Sequence, residues 1–140
     1  MIKGIFLGTG SIPTKERNSQ GVLLEFDNKE TVLIDCGEGI QRQILNIDTD
    51  LEKLNTIFLT HDHIDHIYGV GGMLTLLLSR YPKKKVIIYG PKVTVKTVKE
   101  VVNLFMPEKI SRIKYIETTG SQEIRTESYD CYTFKTRAIA

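Results

Sequence analysis

The sequence predicts an α/β fold (α+β in some schemes), a mixed sandwich, and three observations carry that expectation. Short apolar runs bounded by turn residues recur along the whole chain. Runs with helical spacing alternate with them through the middle, and both ends are rich in strand-like segments. At 140 residues and 41% hydrophobic, the chain can bury one real core and does not read as a disulfide-stapled miniature.

Taken in order, "KGIFLG", "GVLLEF" and "TVLIDCG" read as three early strands, separated by "TGSIPTKERNSQ" and by a turn at Asp27-Asn28. "EGIQRQILNI" has helical spacing, with Ile40, Ile44 and Ile47 on one face. "NTIFLT" is a further strand, β-branched and apolar. "VGGMLTLLLSRY" reads as a largely buried helix that ends before Pro82, and "KKVIIYG" as the next strand. "PKVTVKTVKEVVNLFM" is a helix with Pro91 near its first turn, where a missing N–H costs least. Strand-like "IKYIETT", "QEIRT" and "YDCYTFKTRAIA" follow, the last running into Ala140 with no cap or turn, as a strand cut short would.

Composition narrows the function classes only a little. A net charge of +2 argues neither for nor against a nucleic-acid partner. Cys36 and Cys131 show no metal-ligand spacing; each reads as a buried reduced thiol, with a disulfide between them left open. The apolar run Ile5 to Leu7 is too short for a signal peptide, and no stretch approaches a membrane span. The expectation is a soluble cytoplasmic protein with no membrane partner.

The chemistry concentrates in "LTHDHIDHIYGV", residues 59 to 70, which holds every histidine of the chain: His61, His63 and His66, with Asp62 and Asp65 between them. A lone histidine here would read as a solvated loop residue. Three of them, interleaved with two aspartates at a strand end, read as ligands. Imidazole nitrogen and carboxylate oxygen suit zinc, and also manganese or iron. His61 and His63 can point at one ion, and Asp65 and His66 at a second. Such a pair polarises a phosphoryl or carbonyl group and activates water near neutral pH. Asp62 reads as a supporting or surface carboxylate.

"HDHIDH" matches the H-x-H-x-D-H signature of the metallo-β-lactamase superfamily, and neighbouring stretches narrow the resemblance. "FLGTGSIPTKERN" resembles the start of ribonuclease Z, the tRNA 3′-processing endonuclease, including the P-x-K-x-R-N loop at Pro13, Lys15, Arg17 and Asn18. "LIDCGEGIQRQI" and "IYGP" resemble the same family, so the match spans essentially the whole chain. The H-x-H-x-D-H signature alone marks the superfamily; P-x-K-x-R-N with D-C-G-E-G-x-Q-R-Q is far more specific.

The resemblance implies a metallo-β-lactamase αββα sandwich and a function by position. His61 and His63 would bind the first zinc, Asp65 and His66 the second, with manganese a possible replacement, and Asp65 would also accept a proton. Activated water would attack precursor tRNA just beyond its acceptor stem. Lys15 and Arg17 would contact phosphate, and Asn18 a base edge or backbone; without the resemblance, Lys15, Glu16 and Arg17 read as a solvated turn. It further implies a homodimer, one subunit gripping the tRNA that the other cuts.

The family also uses a later histidine, a bridging aspartate and a final histidine, none of which this chain supplies before Ala140. Residues 1–140 therefore read as the N-terminal half of a single metallo-β-lactamase-like domain, inactive alone. Two further readings stand beside it. One is another superfamily hydrolase, acting on a small cyclic phosphodiester, sulfate ester or lactone, which "PTKERN" disfavours. The other is a truncated, non-catalytic module.

Overall fold

A computed structural model describes residues 1–136. In chain order the elements are β1 (Lys3–Gly8), β2 (Gly21–Glu25), β3 (Thr31–Ile34), α1 (Ile40–Ile44), β4 (Leu54–Phe58), α2 (Ile64–Ile67) and α3 (Val70–Arg80). These are followed by β5 (Val86–Gly90), α4 (Lys92–Phe105), β6 (Ile113–Glu117), β7 (Ser121–Arg125) and β8 (Asp130–Phe134). The first six strands form one sheet in sequence order, with β7 and β8 a separate antiparallel hairpin. Strands β1 to β3 pair antiparallel through tight connections; β3 to β6 pair parallel, each crossover carrying a helix.

Side chains alternate across a strand, so the register sorts them into two faces. Leu23, Leu33, Ile57 and Ile88 lie side by side on one face, each 0% exposed. Against them pack Ile40 and Ile44 of α1, Met73, Leu74 and Leu77 of α3, and Val98 and Val102 of α4. Phe6, Val22, Ile34, Phe58 and Tyr89 form a row on the other face. There the Phe58 and Tyr89 rings stack at 4.5 Å, and Tyr129, just ahead of β8, stacks on Phe26 at 4.9 Å. The hairpin thus covers part of this face, while Phe6 at its edge remains 74% exposed.

Most expected elements are present, and the differences have local causes. The helix expected over residues 38–47 is only Ile40–Ile44. Asp50 ends the following turn by accepting from Glu52 N–H (3.0 Å), starting a short 3-10 turn, Leu51–Lys53. Pro91 precedes α4 and its carbonyl accepts from Val95 N–H. Arg112 covers the C-terminal end of α3: its guanidinium donates to the carbonyl of Leu78 (2.7 Å), left open in the last turn, and to that of Pro82 (2.8 Å) just beyond the helix. Both cysteines are free, Cys36 buried and Cys131 half-buried. The expected run of the last strand to Ala140 lies partly outside the described residues; its described part is Asp130–Phe134.

Candidate metal centre

Strands β1, β3, β4 and β5 all run in one direction, so the loops after β1, β3 and β4 leave the same edge of the sheet. Open α/β sheets bind ligands at that carboxyl edge. Here the three loops are stitched together through backbone groups. Gln20 N–H donates to Asp65 O (3.1 Å), Gly37 N–H to Gln20 O (2.9 Å), Cys36 N–H to His66 O (2.7 Å) and Gly69 N–H to Cys36 O (2.9 Å). Glycine is needed at the closest crossings. A Cβ on Gly37 would stand 2.1 Å from Asp65 O, and one on Gly69 would stand 1.9 Å from Gly37 O.

The histidine segment is not wholly irregular. Ile64–Ile67 forms one helical turn, and this turn brings His66 back toward the sheet while His63 precedes it. The His61 ring centroid lies 4.4 Å from that of His63 and 4.1 Å from that of His66. Asp65 Oδ2 is 3.4 Å from His66 Nε2. All four expected donors therefore gather in one loop, with His63 exposed and the other three half-buried. Asp62 is exposed, as expected of a surface carboxylate.

One residue that the sequence reading passed over organises this loop. Asp35 follows β3 with φ 58°, is 7% exposed, and has its carboxylate turned under the histidines. It accepts from the Thr60 backbone N–H (2.8 Å), from the Thr60 hydroxyl, and from His66 Nδ1 (2.6 Å). A carboxylate only accepts, so His66 carries its hydrogen on Nδ1 and keeps the Nε2 lone pair for a ligand. The signal was a lone aspartate closing an apolar strand in "TVLIDCG".

Electrostatics agree with neutral imidazole and inert sulfur. Burial, then the neighbouring His66 and His63, lowers the pKa of His61, which keeps that ring neutral and able to ligate. Burial, then the Asp35 charge, pushes the Cys36 thiol up, so it stays protonated and is no nucleophile. Lys15 and Arg17 are exposed on the β1–β2 loop, in a turn where Thr14 Oγ1 accepts from Glu16 N–H (3.2 Å) and Arg17 N–H (3.1 Å). Asn18 is half-buried, and its carbonyl accepts from Gly10 N–H (2.8 Å).

The donor set suits zinc or a similar divalent ion in chemistry: three imidazoles, of which His61 and His66 have Nδ1 engaged behind them, plus one carboxylate. It is open in geometry. Among the described residues no three His, Cys, Asp or Glu side chains close on a common point as a metal-holding group.

This sheet, with its histidine loop at the carboxyl edge, is the fold of metallo-β-lactamase proteins. The structure matches the metallo-beta-lactamase fold protein YhfI from Bacillus subtilis with a TM-score of 0.72 at 20% identity, over 91% of this chain and 50% of that one. It matches human tRNase Z, short form, with a TM-score of 0.69 at 30% identity, over 84% of this chain and 44% of that one. Residues 2–119 match the family model described as Anti-Pycsar protein Apyc1, and the chain belongs to that family. The resemblance to ribonuclease Z is equally borne out. The chain is 38% identical over 137 residues to Ribonuclease Z of Methanococcus maripaludis, covering 95% of this chain and 43% of that protein. The chain thus spans less than half the length of the ribonuclease Z it matches.

Proposed function

We propose that these residues are the N-terminal half of a single metallo-β-lactamase-like domain, and that the whole protein is a zinc-dependent endoribonuclease that trims the 3′ end of precursor tRNA. The observation that carries this reading is the stitching of the Lys15–Asn18 loop to the histidine loop through Gln20 N–H and Asp65 O. It ties the loop that carries Lys15 and Arg17, cations suited to phosphate, to the loop that carries donors suited to a metal. The ribonuclease Z relatives and the human tRNase Z structure supply the RNA direction.

In this reading His61, His63, Asp65 and His66 hold two zinc ions, with manganese a workable replacement. When bound, such ions polarise a phosphoryl oxygen and lower the pKa of water. The chain's own residues do the rest. Asp35 fixes the His66 ring by accepting from Nδ1. Asp65 accepts a proton from the attacking water at a carboxylate oxygen. Lys15 and Arg17 hold backbone phosphates, and Asn18 meets a base edge or the backbone. The protein acts in the cytoplasm as a homodimer; no helix among the described residues is long and apolar enough to cross a membrane.

The test is a 3′-extended precursor tRNA incubated with the whole protein and with residues 1–140, zinc or manganese added. Site-specific cleavage by the whole protein and none by the 140-residue chain is expected. A whole protein that leaves the tRNA intact sinks the reading, and robust cleavage by residues 1–140 sinks the inactivity of the half. A second reading is another superfamily hydrolase, acting on a small cyclic phosphodiester, sulfate ester or lactone; the matching family description names a protein other than ribonuclease Z. A cyclic phosphodiester run in the same assay decides between them. Light scattering after size exclusion tests the dimer, for which a clean monomer is the contrary result.

A further inference from the structure

Thr60 joins β4 to the histidine loop, and its hydroxyl faces two groups at once. Oγ1 lies 2.8 Å from Asp35 Oδ2, 3.0 Å from Asp35 Oδ1 and 2.9 Å from His61 Nδ1. A hydroxyl has one hydrogen to donate and lone pairs with which to accept. The Asp35 carboxylate has none to give and is buried, so leaving it short of a donor is costly. The hydroxyl hydrogen therefore belongs to Asp35. What remains for His61 is the oxygen lone pair, which requires a hydrogen on His61 Nδ1.

If His61 instead carried its hydrogen on Nε2, Nδ1 and the carboxylate would compete for a single hydroxyl hydrogen, and one contact would be lost. The arrangement thus selects the His61 tautomer whose Nε2 lone pair is free. His66 is held in the same tautomer directly, through Asp35 Oδ2. One carboxylate orders both rings, the nearer by contact and the farther through a hydroxyl. We propose that Thr60 is a positioning residue that passes the Asp35 constraint to His61 and presents His61 Nε2 to a divalent cation. The proposal rests on reading His61 as a metal ligand.

Tautomers are read by long-range proton–nitrogen correlation spectra of the full chain, nitrogen-15 labelled and zinc-free, at a pH above the histidine range. Wild type and Thr60→Ser are expected to carry the His61 hydrogen on Nδ1. Thr60→Val, of like shape without the hydroxyl, is expected to shift His61 toward the Nε2-protonated form. Its zinc affinity should fall about 10- to 100-fold, as for the loss of other groups that orient a ligand, with Thr60→Ser restoring it. A wild-type His61 protonated on Nε2 overturns the relay, and that spectrum decides even if Thr60→Val does not fold. An unchanged tautomer and zinc affinity in Thr60→Val overturns it as well. The ligand reading is checked apart by His61→Ala, whose unchanged zinc affinity would overturn that premise, whatever the spectra show.

Discussion

Asp35 and His66, separated by 31 positions in the chain, are joined by a 2.6 Å contact between Oδ2 and Nδ1. The contact ties the end of β3 to the loop after β4, and the Asp35 backbone accepts a left-handed φ of 58° to make it. Asx residues tolerate that conformation better than other L-residues, which gives the position a reason to be aspartate beyond its charge.

Asp35→Ala should therefore lose stability twice over. It strips the acceptor from Thr60 N–H and His66 Nδ1–H, and it puts a poorly suited residue at a positive φ. A loss of about 2–4 kcal/mol is expected. Asp35→Asn keeps the conformation and one acceptor oxygen and should lose clearly less. Urea unfolding of the two variants measures this, and equal losses would contradict it.

The His63 side chain is exposed and its ring lies close to that of His61, so its removal should cost metal binding and little else. Calorimetric titration of zinc into His63→Ala is expected to show a drop of about tenfold or more against wild type, with the thermal midpoint of the zinc-free chain nearly unchanged. Equal affinity in the two proteins would refute His63 as a ligand.

Two glycines near the start of α3 should respond in opposite directions. A Cβ at Gly69 meets the Gly37 carbonyl oxygen at 1.9 Å, a backbone atom that cannot swing aside. Gly69→Ala should cost about 3 kcal/mol or prevent folding. At Gly71 the nearest atom stands at 3.8 Å, on the flexible Val101 side chain, and the position is helical. Gly71→Ala should gain about 0.5–1 kcal/mol through helix propensity. Similar outcomes for both would mean that the loop crossing at Gly37 is looser than it looks.

Alkaline pH should unfold the chain through its tyrosines. Burial pushes the Tyr115 and Tyr129 hydroxyls up to about 12 from an ordinary value of 10.0. Between those values the unfolded chain releases the protons and the folded chain keeps them. The unfolded state then binds fewer protons, so stability falls as pH rises through that window. Among the described residues, the buried Tyr115 hydroxyl has no hydrogen-bond partner. Tyr115→Phe should thus leave stability at neutral pH equal or up to about 1 kcal/mol higher, and should shrink the alkaline loss. Denaturation midpoints across the pH range report both; an unchanged alkaline slope would contradict the assignment.

Much of this molecule is legible from neighbouring residues alone. Short apolar runs bounded by turn residues mark "GVLLEF", "TVLIDCG" and "NTIFLT" as strands, and Leu23, Leu33 and Ile57 do occupy one buried row. The histidine loop is equally local: His61, His63, Asp65 and His66 are close in space largely because they are close in sequence. The helical turn at Ile64–Ile67 escaped that reading, since one turn is too short to show a period.

The support beneath the donors follows no local pattern. Asp35 reaches His66, and Gln20 reaches Asp65, only because β1, β3 and β4 end on the same edge of one sheet. Residues 34 and 58 become neighbours, and residue 8 comes to the same edge one strand further on, through strand register, which depends on hydrogen bonds between segments far apart in the chain. Residue types and spacing name the groups able to hold a metal. Which nitrogen His66 presents, and the need for glycine at Gly37 and Gly69, arise only when the three loops meet. At that meeting a single buried carboxylate must satisfy every donor that faces it.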